Sequence, residues 1–95
     1  MSRSGKRLRE NEEELCTLTD LAEGGRGIIV KTQGGFGLVR RLAEMGLTPS
    51  TEVKLLKKGS FGGPVEVEVR GVTLALGHGV ASKVLVKPLK DEGNG

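Results

Sequence analysis

Aromatic side chains and cysteine are scarce in this chain of 95 residues, which has two phenylalanines, one cysteine and no tryptophan or tyrosine. The single cysteine, Cys16, excludes an internal disulfide framework. So few aromatic rings argue against base stacking on single-stranded nucleic acid, and we expect no nucleic-acid partner. No stretch approaches the roughly 18 consecutive apolar residues of a membrane span, so we expect no insertion into a membrane.

The length and the charge distribution predict one small domain between two polar tails. Residues 1–14 are dense in basic and acidic side chains, and residues 90–95 are equally polar, so we predict that both segments are disordered. Residues 15–89 would form the folded domain, which is mildly basic, with ten Lys or Arg against six Asp or Glu. The charged start lacks the apolar segment of a secretory signal, so the expected location is cytoplasmic.

Strict alternation of valine with charged residues predicts a strand over residues 65–70, and a second alternating segment follows Gly71. A two-residue turn at Arg70 and Gly71 would place three aliphatic pairs opposite one another: Val69 with Val72, Val67 with Leu74, and Val65 with Leu76. All six side chains would then share one face of a β-hairpin. Moving the turn by one residue would break this match, so the register is well specified.

Further strands are predicted where Val, Ile and Leu are concentrated, at residues 27–31, 52–58 and 83–87, with a short opening strand at 16–18. Glycine-containing turns separate these segments. Short strands at this spacing are typical of small barrels. We therefore predict a mainly β fold, a partly open barrel of about five to six strands with one short α-helix packed on it.

The helix is predicted within residues 32–49. At 100° per residue, one side of it carries Arg40, Arg41 and Glu44, and the other carries Leu38, Val39, Leu42, Ala43 and Met45. Gly46 fits a left-handed residue at the helix end, Leu47 would fold back on Leu42, and Pro49 prevents continuation. A helix of this length is not stable alone, so we expect its apolar side to cap an open end of the barrel.

The glycines before this helix do not form a phosphate-binding loop. Such a loop ends in Lys-Ser/Thr, whereas Leu38 and Val39 follow Gly37. The dinucleotide motif also fails, because Arg40 occupies its third glycine position. We interpret these glycines as a tight connection from a strand to the helix.

At the candidate binding residues, the sequence leaves two alternatives open for the arginines and two for Phe61. Arg40 and Arg41 are either anion ligands or the solvated face of the helix, with Arg40 pairing with Glu44, and the sequence favours the solvated face. Phe61 stands between Ser60 and two glycines. It is either a core residue or an exposed anchor for another protein.

Cys16 and His78 are the only soft metal ligands, and they are weak candidates for a ferrous or zinc ion because a structural zinc site needs four ligands. His78, between two glycines, is expected in an exposed turn. No Ser or Cys, His and Asp combination has the spacing of a catalytic set. We therefore predict no enzymatic activity, no catalytic residue and no resident cofactor.

Three segments of the sequence resemble the FeoA family of small ferrous iron transport proteins: "GGFGLVRRLAEMGLTPSTEVKLL", "FGGPVEVEVRGVTLALG" and "ASKVLV". The resemblance extends from residue 15 to about residue 86, and "LAEMGLTP" is its most specific part. It implies an SH3-like fold. Ser50 departs from the family pattern, which often has glycine there, and Gly77-His78-Gly79 stands where a more helix-compatible, often basic segment is common.

The resemblance implies a non-enzymatic cytoplasmic accessory protein that acts on FeoB, a membrane iron transporter with a GTP-binding domain. The residues predicted to contact this partner are Arg40, Arg41, Glu44, Met45, Phe61 and Arg70. Weak self-association is a further expectation. Two alternatives remain: an SH3-like regulatory module of iron-dependent transcription control, and a protein that binds a transition metal directly.

Overall fold

Six antiparallel strands form one sheet in residues 14–90, which are the residues that this computed structural model describes. The strands are β1 (Cys16–Thr17), β2 (Arg26–Thr32), β3 (Glu52–Lys58), β4 (Val65–Val69), β5 (Val72–Leu76) and β6 (Val84–Pro88). Their order across the sheet is β1-β6-β2-β3-β4-β5. The tails that we predict to be disordered, 1–14 and 90–95, lie outside the described residues except for Glu14 and Lys90.

The sheet bends into a partly open barrel. Its register shifts between Ile29 and Lys31 and again between Leu55 and Lys57, and such β-bulges increase twist and bend a strand. β1 and β5 form the two edges and do not pair with each other. The prediction of a mainly β, partly open barrel of five to six strands with one main helix is confirmed. The apolar core of the barrel consists of Leu18, Leu21, Ile29, Leu42, Leu47, Val53, Leu55, Val65, Val67, Val69, Leu76, Ala81, Val84 and Val86.

The β4–β5 hairpin has the predicted register, in which Val65 lies opposite Leu76 and Val69 opposite Val72. Its two turn residues, Arg70 and Gly71, have φ angles of 53° and 80°, as a type I′ turn requires. The six aliphatic side chains share one face of the hairpin as predicted, although Val72, next to the turn, is 55% exposed. β5 is an edge strand, so no further strand covers Val72.

Helix α1 (Phe36–Glu44) ends in the predicted way. Gly46 has a φ of +92°, its N–H donates to the Ala43 carbonyl at 2.9 Å, and the N–H of Leu47 donates to the Leu42 carbonyl at 2.9 Å. These two bonds define a Schellman motif. Leu42 and Leu47 are both buried, so the end of the helix is fixed to the core at this point.

A second, four-residue helix, α2 (His78–Ala81), follows β5, and single 3₁₀ turns occupy Leu18–Asp20 and Ser60–Gly62. The sequence did not predict these elements. The expected turn at His78 is therefore wrong, since this residue starts α2, although its side chain is exposed as expected. In the described residues, no helix is both long enough and apolar enough to cross a membrane.

Candidate functional site

The outer side of α1 presents an aromatic ring beside charged side chains. Phe36, Arg40 and Glu44 lie one turn apart, and the Phe36 side chain is 79% exposed. The Arg40 and Glu44 side chains approach to 3.9 Å and are both about two-thirds exposed, so their ion pair contributes little to stability. We call Phe36, Arg40 and Glu44, with the flanking Val39 and Arg41, the helix surface.

The helix buries a narrower stripe than the sequence suggests. Leu42 is buried and Leu38 is partly buried, but Val39, Ala43 and Met45 are exposed. The expectation that these last three pack into the barrel is therefore wrong. Of the two alternatives for Arg40, the solvated helix face agrees with the exposure of its side chain, and the suggested ion pair with Glu44 is present.

Phe36 is the residue of the helix surface that sequence reasoning missed. It lies four positions before Arg40, and residues at this spacing share one face of a helix. Extending the 100° projection by one turn towards the N-terminus would have placed Phe36 beside Arg40. The glycines around it concealed this signal, because their sequence indicates a tight connection between a strand and the helix.

The loop between β3 and β4 holds Phe61 fully in solvent, with a relative exposure of 104%. Its backbone is left-handed, with a φ of 47°, which is unusual for an aromatic residue. Two hydrogen bonds brace the loop: Gly59 N–H donates to the Pro64 carbonyl at 2.8 Å, and Gly63 N–H donates to the Ser60 carbonyl at 2.9 Å. Of the two alternatives for Phe61, the exposed one agrees with the structure.

Gly59 allows this loop to close. A Cβ atom at Gly59 would lie 2.7 Å from the Pro64 carbonyl oxygen, which is closer than Cβ atoms approach non-bonded neighbours in real structures. The loop therefore depends on glycine at its base and carries a strained, exposed aromatic residue at its tip. Backbone strain of this kind is concentrated at functional positions, so we retain Phe61 as a candidate anchor.

Arg70 lines an open groove of ≈ 490 Å³ on the outer face of the sheet. We call it the charged groove, and its lining residues are Arg26, Ser50, Thr51, Glu52, Lys54, Glu68, Arg70 and Gly71. Within it, Arg26 Nη1 lies 3.0 Å from Glu52 Oε2. The groove combines charges of both signs and contains neither the cysteine nor the histidine of the chain.

The predicted binding residues do not all meet at one place. A Cβ atom at Gly46 would lie 3.6 Å from Val69 Cγ1, so the C-terminal end of α1 lies close to Arg70. Phe61 precedes β4 and Arg70 follows it. These two residues are therefore separated by the length of a five-residue strand, or roughly 17 Å. Arg40, Arg41, Glu44 and Met45 share α1, whereas Phe61 belongs to a separate surface.

Cys16 and His78 remain only candidate metal ligands. Burial, and secondarily the negative charge of Asp20, raises the pKa of the Cys16 thiol, so the thiol is protonated at neutral pH and is a poor ligand there. The His78 side chain is exposed at the start of α2. Within residues 14–90, no three His, Cys, Asp or Glu side chains are grouped closely enough to hold a metal ion.

The sequence of this chain matches a known protein family over most of its length. The family model described as the FeoA domain matches residues 16–88. The chain belongs to the FeoA family. A FeoA relative from Methanocaldococcus jannaschii, named as an Fe(2+) transport protein A, is 32% identical over 65 residues, which are 68% of this chain and 77% of the relative.

Solved FeoA structures share the fold. The crystal structure of an iron uptake regulatory protein, FeoA, is 35% identical with a TM-score of 0.74, and the match covers 79% of this chain and 99% of that one. FeoA of Stenotrophomonas maltophilia, described as a prokaryotic SH3 domain protein complexed with zinc, is 30% identical with a TM-score of 0.64, and the match covers 74% and 87% of the two chains. A manganese-dependent transcriptional repressor, at 21% identity with a TM-score of 0.72 over 79% of this chain and 42% of that one, shares the fold alone.

Proposed function

We propose that this chain is a non-enzymatic accessory protein of ferrous iron uptake that works in the cytoplasm. In this proposal it binds the cytoplasmic GTP-binding part of a FeoB-type transporter and changes the transporter's activity. Membership of the FeoA family supports the link to iron uptake, as do the names of the relatives, which refer to Fe(2+) transport and to the regulation of iron uptake.

The helix surface is the observation that carries the binding proposal. It places an exposed phenylalanine, Phe36, in one stripe with Arg40. Aromatic residues and arginine are enriched where protein interfaces bind most strongly. The Schellman motif and the buried Leu42 hold this stripe in place from below, so little conformational freedom would be lost when a partner binds.

The absence of catalytic activity is part of the proposal. The charged groove offers carboxylates and cationic groups but neither a thiol nor an imidazole. Cys16, the only thiol, has a raised pKa and is therefore a weak nucleophile at neutral pH. Binding is then the activity that these surfaces support best.

A binding titration with a matched control tests the surface. Arg40→Ala with Arg41→Ala should weaken binding to the cytoplasmic domain of FeoB by about tenfold or more, the usual cost of removing central interface residues. Phe36→Ala should have a similar effect. Lys57→Ala with Lys87→Ala removes the same amount of charge from exposed positions on strands and should leave binding within about twofold.

The measurement is isothermal titration calorimetry, with far-UV circular dichroism to verify that each variant is folded. Equal weakening by both double variants would point to general charge attraction and would contradict a specific helix surface. Unchanged binding in both Arg40→Ala with Arg41→Ala and Phe36→Ala would place the contact elsewhere.

Iron uptake into proteoliposomes tests the function itself. Transporter-containing vesicles should take up Fe²⁺ at a different rate when this chain is present, and the difference should shrink with Phe36→Ala. An identical rate with and without the chain would contradict an accessory role.

A gel-shift assay at two salt concentrations tests the regulatory alternative, because DNA binding through backbone contacts weakens steeply with salt.

A further inference from the structure

We propose that strand β5 pairs in antiparallel fashion with β5 of a second copy of this chain, in a register centred on Leu74. The proposal concerns self-association and is independent of the transporter-binding surface on α1. It rests on the free edge of β5, on the residues that line this edge, and on the symmetry of their order.

The outer edge of β5 has unused backbone hydrogen-bonding groups. Val69 and Val72 flank the two-residue turn and lie opposite each other, so they form a hydrogen-bonded pair. Bonding alternates along an antiparallel pair, so Val72, Leu74 and Leu76 use their N–H and C=O groups on β4. The same groups of Thr73 and Ala75 then point away from the sheet. No other element in residues 14–90 forms a backbone hydrogen bond with either residue.

This edge also lacks the features that usually prevent strands of different molecules from pairing. Natural edge strands are protected by lysine, proline, bulges or covering loops. β5 reads Val-Thr-Leu-Ala-Leu, with no charged residue and no proline, and its pairing with β4 has no register shift. Thr73 and Ala75 are both exposed, so the outer side of the strand is accessible.

The alternation along β5 is symmetric about Leu74, with aliphatic residues at 72, 74 and 76 and small residues at 73 and 75. In an antiparallel pair centred there, Thr73 of one copy lies opposite Ala75 of the other, and the two residues exchange both hydrogen bonds. Two such pairs form because of the two-fold symmetry. Leu74 meets Leu74 of the second copy at the axis, and Val72 meets Leu76 of the second copy. A shift by one residue would place residues with free outward N–H and C=O groups opposite residues whose groups are already used on β4. The register centred on Leu74 therefore forms the most hydrogen bonds along this edge.

This pairing would cover apolar side chains on the inner face of the barrel. Val72 is 55% exposed and Leu74 is only partly buried, and both point to the face on which the second copy would bring its own Val72 and Leu74. A second copy fits better than a charged peptide because the edge offers no charge for such a peptide to recognise. One five-residue strand buries a small area, so the dimer is a weak one.

Charge substitutions on the outer face distinguish this register from other modes of association. Thr73→Lys with Ala75→Lys places like charges opposite each other in both symmetric pairs, whereas Thr73→Lys with Ala75→Glu places opposite charges there. The dissociation constant of the dimer should be at least about tenfold lower for the second variant than for the first. The unmodified chain should lie between them.

Sedimentation equilibrium of the full-length chain, from micromolar to millimolar concentrations, measures these constants. Amide resonances of Thr73 and Ala75 in the unmodified chain should shift with concentration in nuclear magnetic resonance spectra. Thermal melts verify that each variant is folded, because Glu66 and Glu68 lie opposite the substituted positions within one copy. A monomeric unmodified chain at millimolar concentration, or equal dissociation constants for the two charge variants, would overturn the proposal.

Discussion

The same substitution, glycine to alanine, should have opposite effects near the two ends of helix α1. Gly37 lies inside the first turn with an ordinary helical backbone, and a Cβ atom there would meet no atom within 4 Å. Gly46 follows the helix in a left-handed conformation, with a φ of +92°. A Cβ atom at Gly46 would meet only Val69 Cγ1, at a comfortable 3.6 Å. Neither substitution is therefore limited by space.

The difference between the two sites comes from backbone conformation alone. Alanine at Gly37 removes the excess freedom of glycine in the unfolded chain, which should raise the free energy of unfolding by about 0.5–1 kcal/mol. Alanine at Gly46 must adopt a left-handed conformation, which should lower that free energy by about 1–2 kcal/mol. A domain of this size is expected to have only about 5–10 kcal/mol of stability, so both effects are measurable.

Urea unfolding followed by far-UV circular dichroism is the assay, because the chain has no tryptophan or tyrosine to provide a fluorescence signal. The midpoint should rise for Gly37→Ala and fall for Gly46→Ala with an unchanged slope. Changes of the same sign, or an unchanged midpoint for Gly46→Ala, would refute the proposed Schellman end of α1.

Four further predictions concern single positions. Ser50→Gly should raise the free energy of unfolding by about 0.5–1 kcal/mol in urea titrations, because Ser50 has a φ of 75°. Arg70→Asn should leave the melting temperature unchanged or higher, since asparagine suits the first position of a type I′ turn, yet it should weaken calorimetric binding to the FeoB domain if Arg70 contacts this partner. Phe61→Asn should likewise preserve or raise stability at its left-handed position, and weaker binding in this folded variant would identify Phe61 as an anchor. The folded state holds the Cys16 proton more tightly than the unfolded state. The tighter hold on the proton contributes to the free energy of unfolding at pH values below the ordinary thiol pKa of about 8.5. This contribution is lost as the pH rises above that value. Urea titrations between about pH 8 and about pH 10 should therefore show a larger loss of stability for the unmodified chain than for Cys16→Ala, and parallel losses would contradict the assigned burial.

Much of the barrel could be predicted because its local signals agree with one another. The hairpin register follows from alternating valines on both sides of Arg70 and Gly71, and one register alone matches them. The end of α1 follows from the order Leu42, Gly46 and Leu47, which meets the requirements of a Schellman motif. These features depend on residues close together in sequence.

The exposure of individual side chains was harder to predict, because it depends on whether another element covers that side of the strand or helix. Val72 and Leu74 alternate like buried residues, but β5 has no neighbour on its outer edge. Val39 and Met45 lie near the apolar side of α1, yet the area of contact with the barrel is too narrow to cover them. Helix α2 was missed because it contains Gly79 and directly follows Gly77, and glycine disfavours a helix on propensity alone.

The position of the exposed aromatic residues shows the same limit. Phe61 was compatible with either the core or the solvent until the loop was placed, and Phe36 was not considered a surface residue. Both aromatic rings of the chain are exposed. The spacing of the two phenylalanines in the sequence could not predict that they lie on two separate surfaces, because their positions depend on the path of β3 and β4.

The most direct test of the account is a chemical-shift map of the isotope-labelled chain titrated with the cytoplasmic GTP-binding domain of FeoB. The account predicts saturable shifts centred on the amides of Phe36, Arg40 and Glu44, and in Arg40→Ala with Arg41→Ala the shifts on α1 should need about tenfold more partner or more to reach the same fraction of saturation. The absence of shifts at saturating partner concentration, or saturable shifts that leave α1 unaffected, would contradict it.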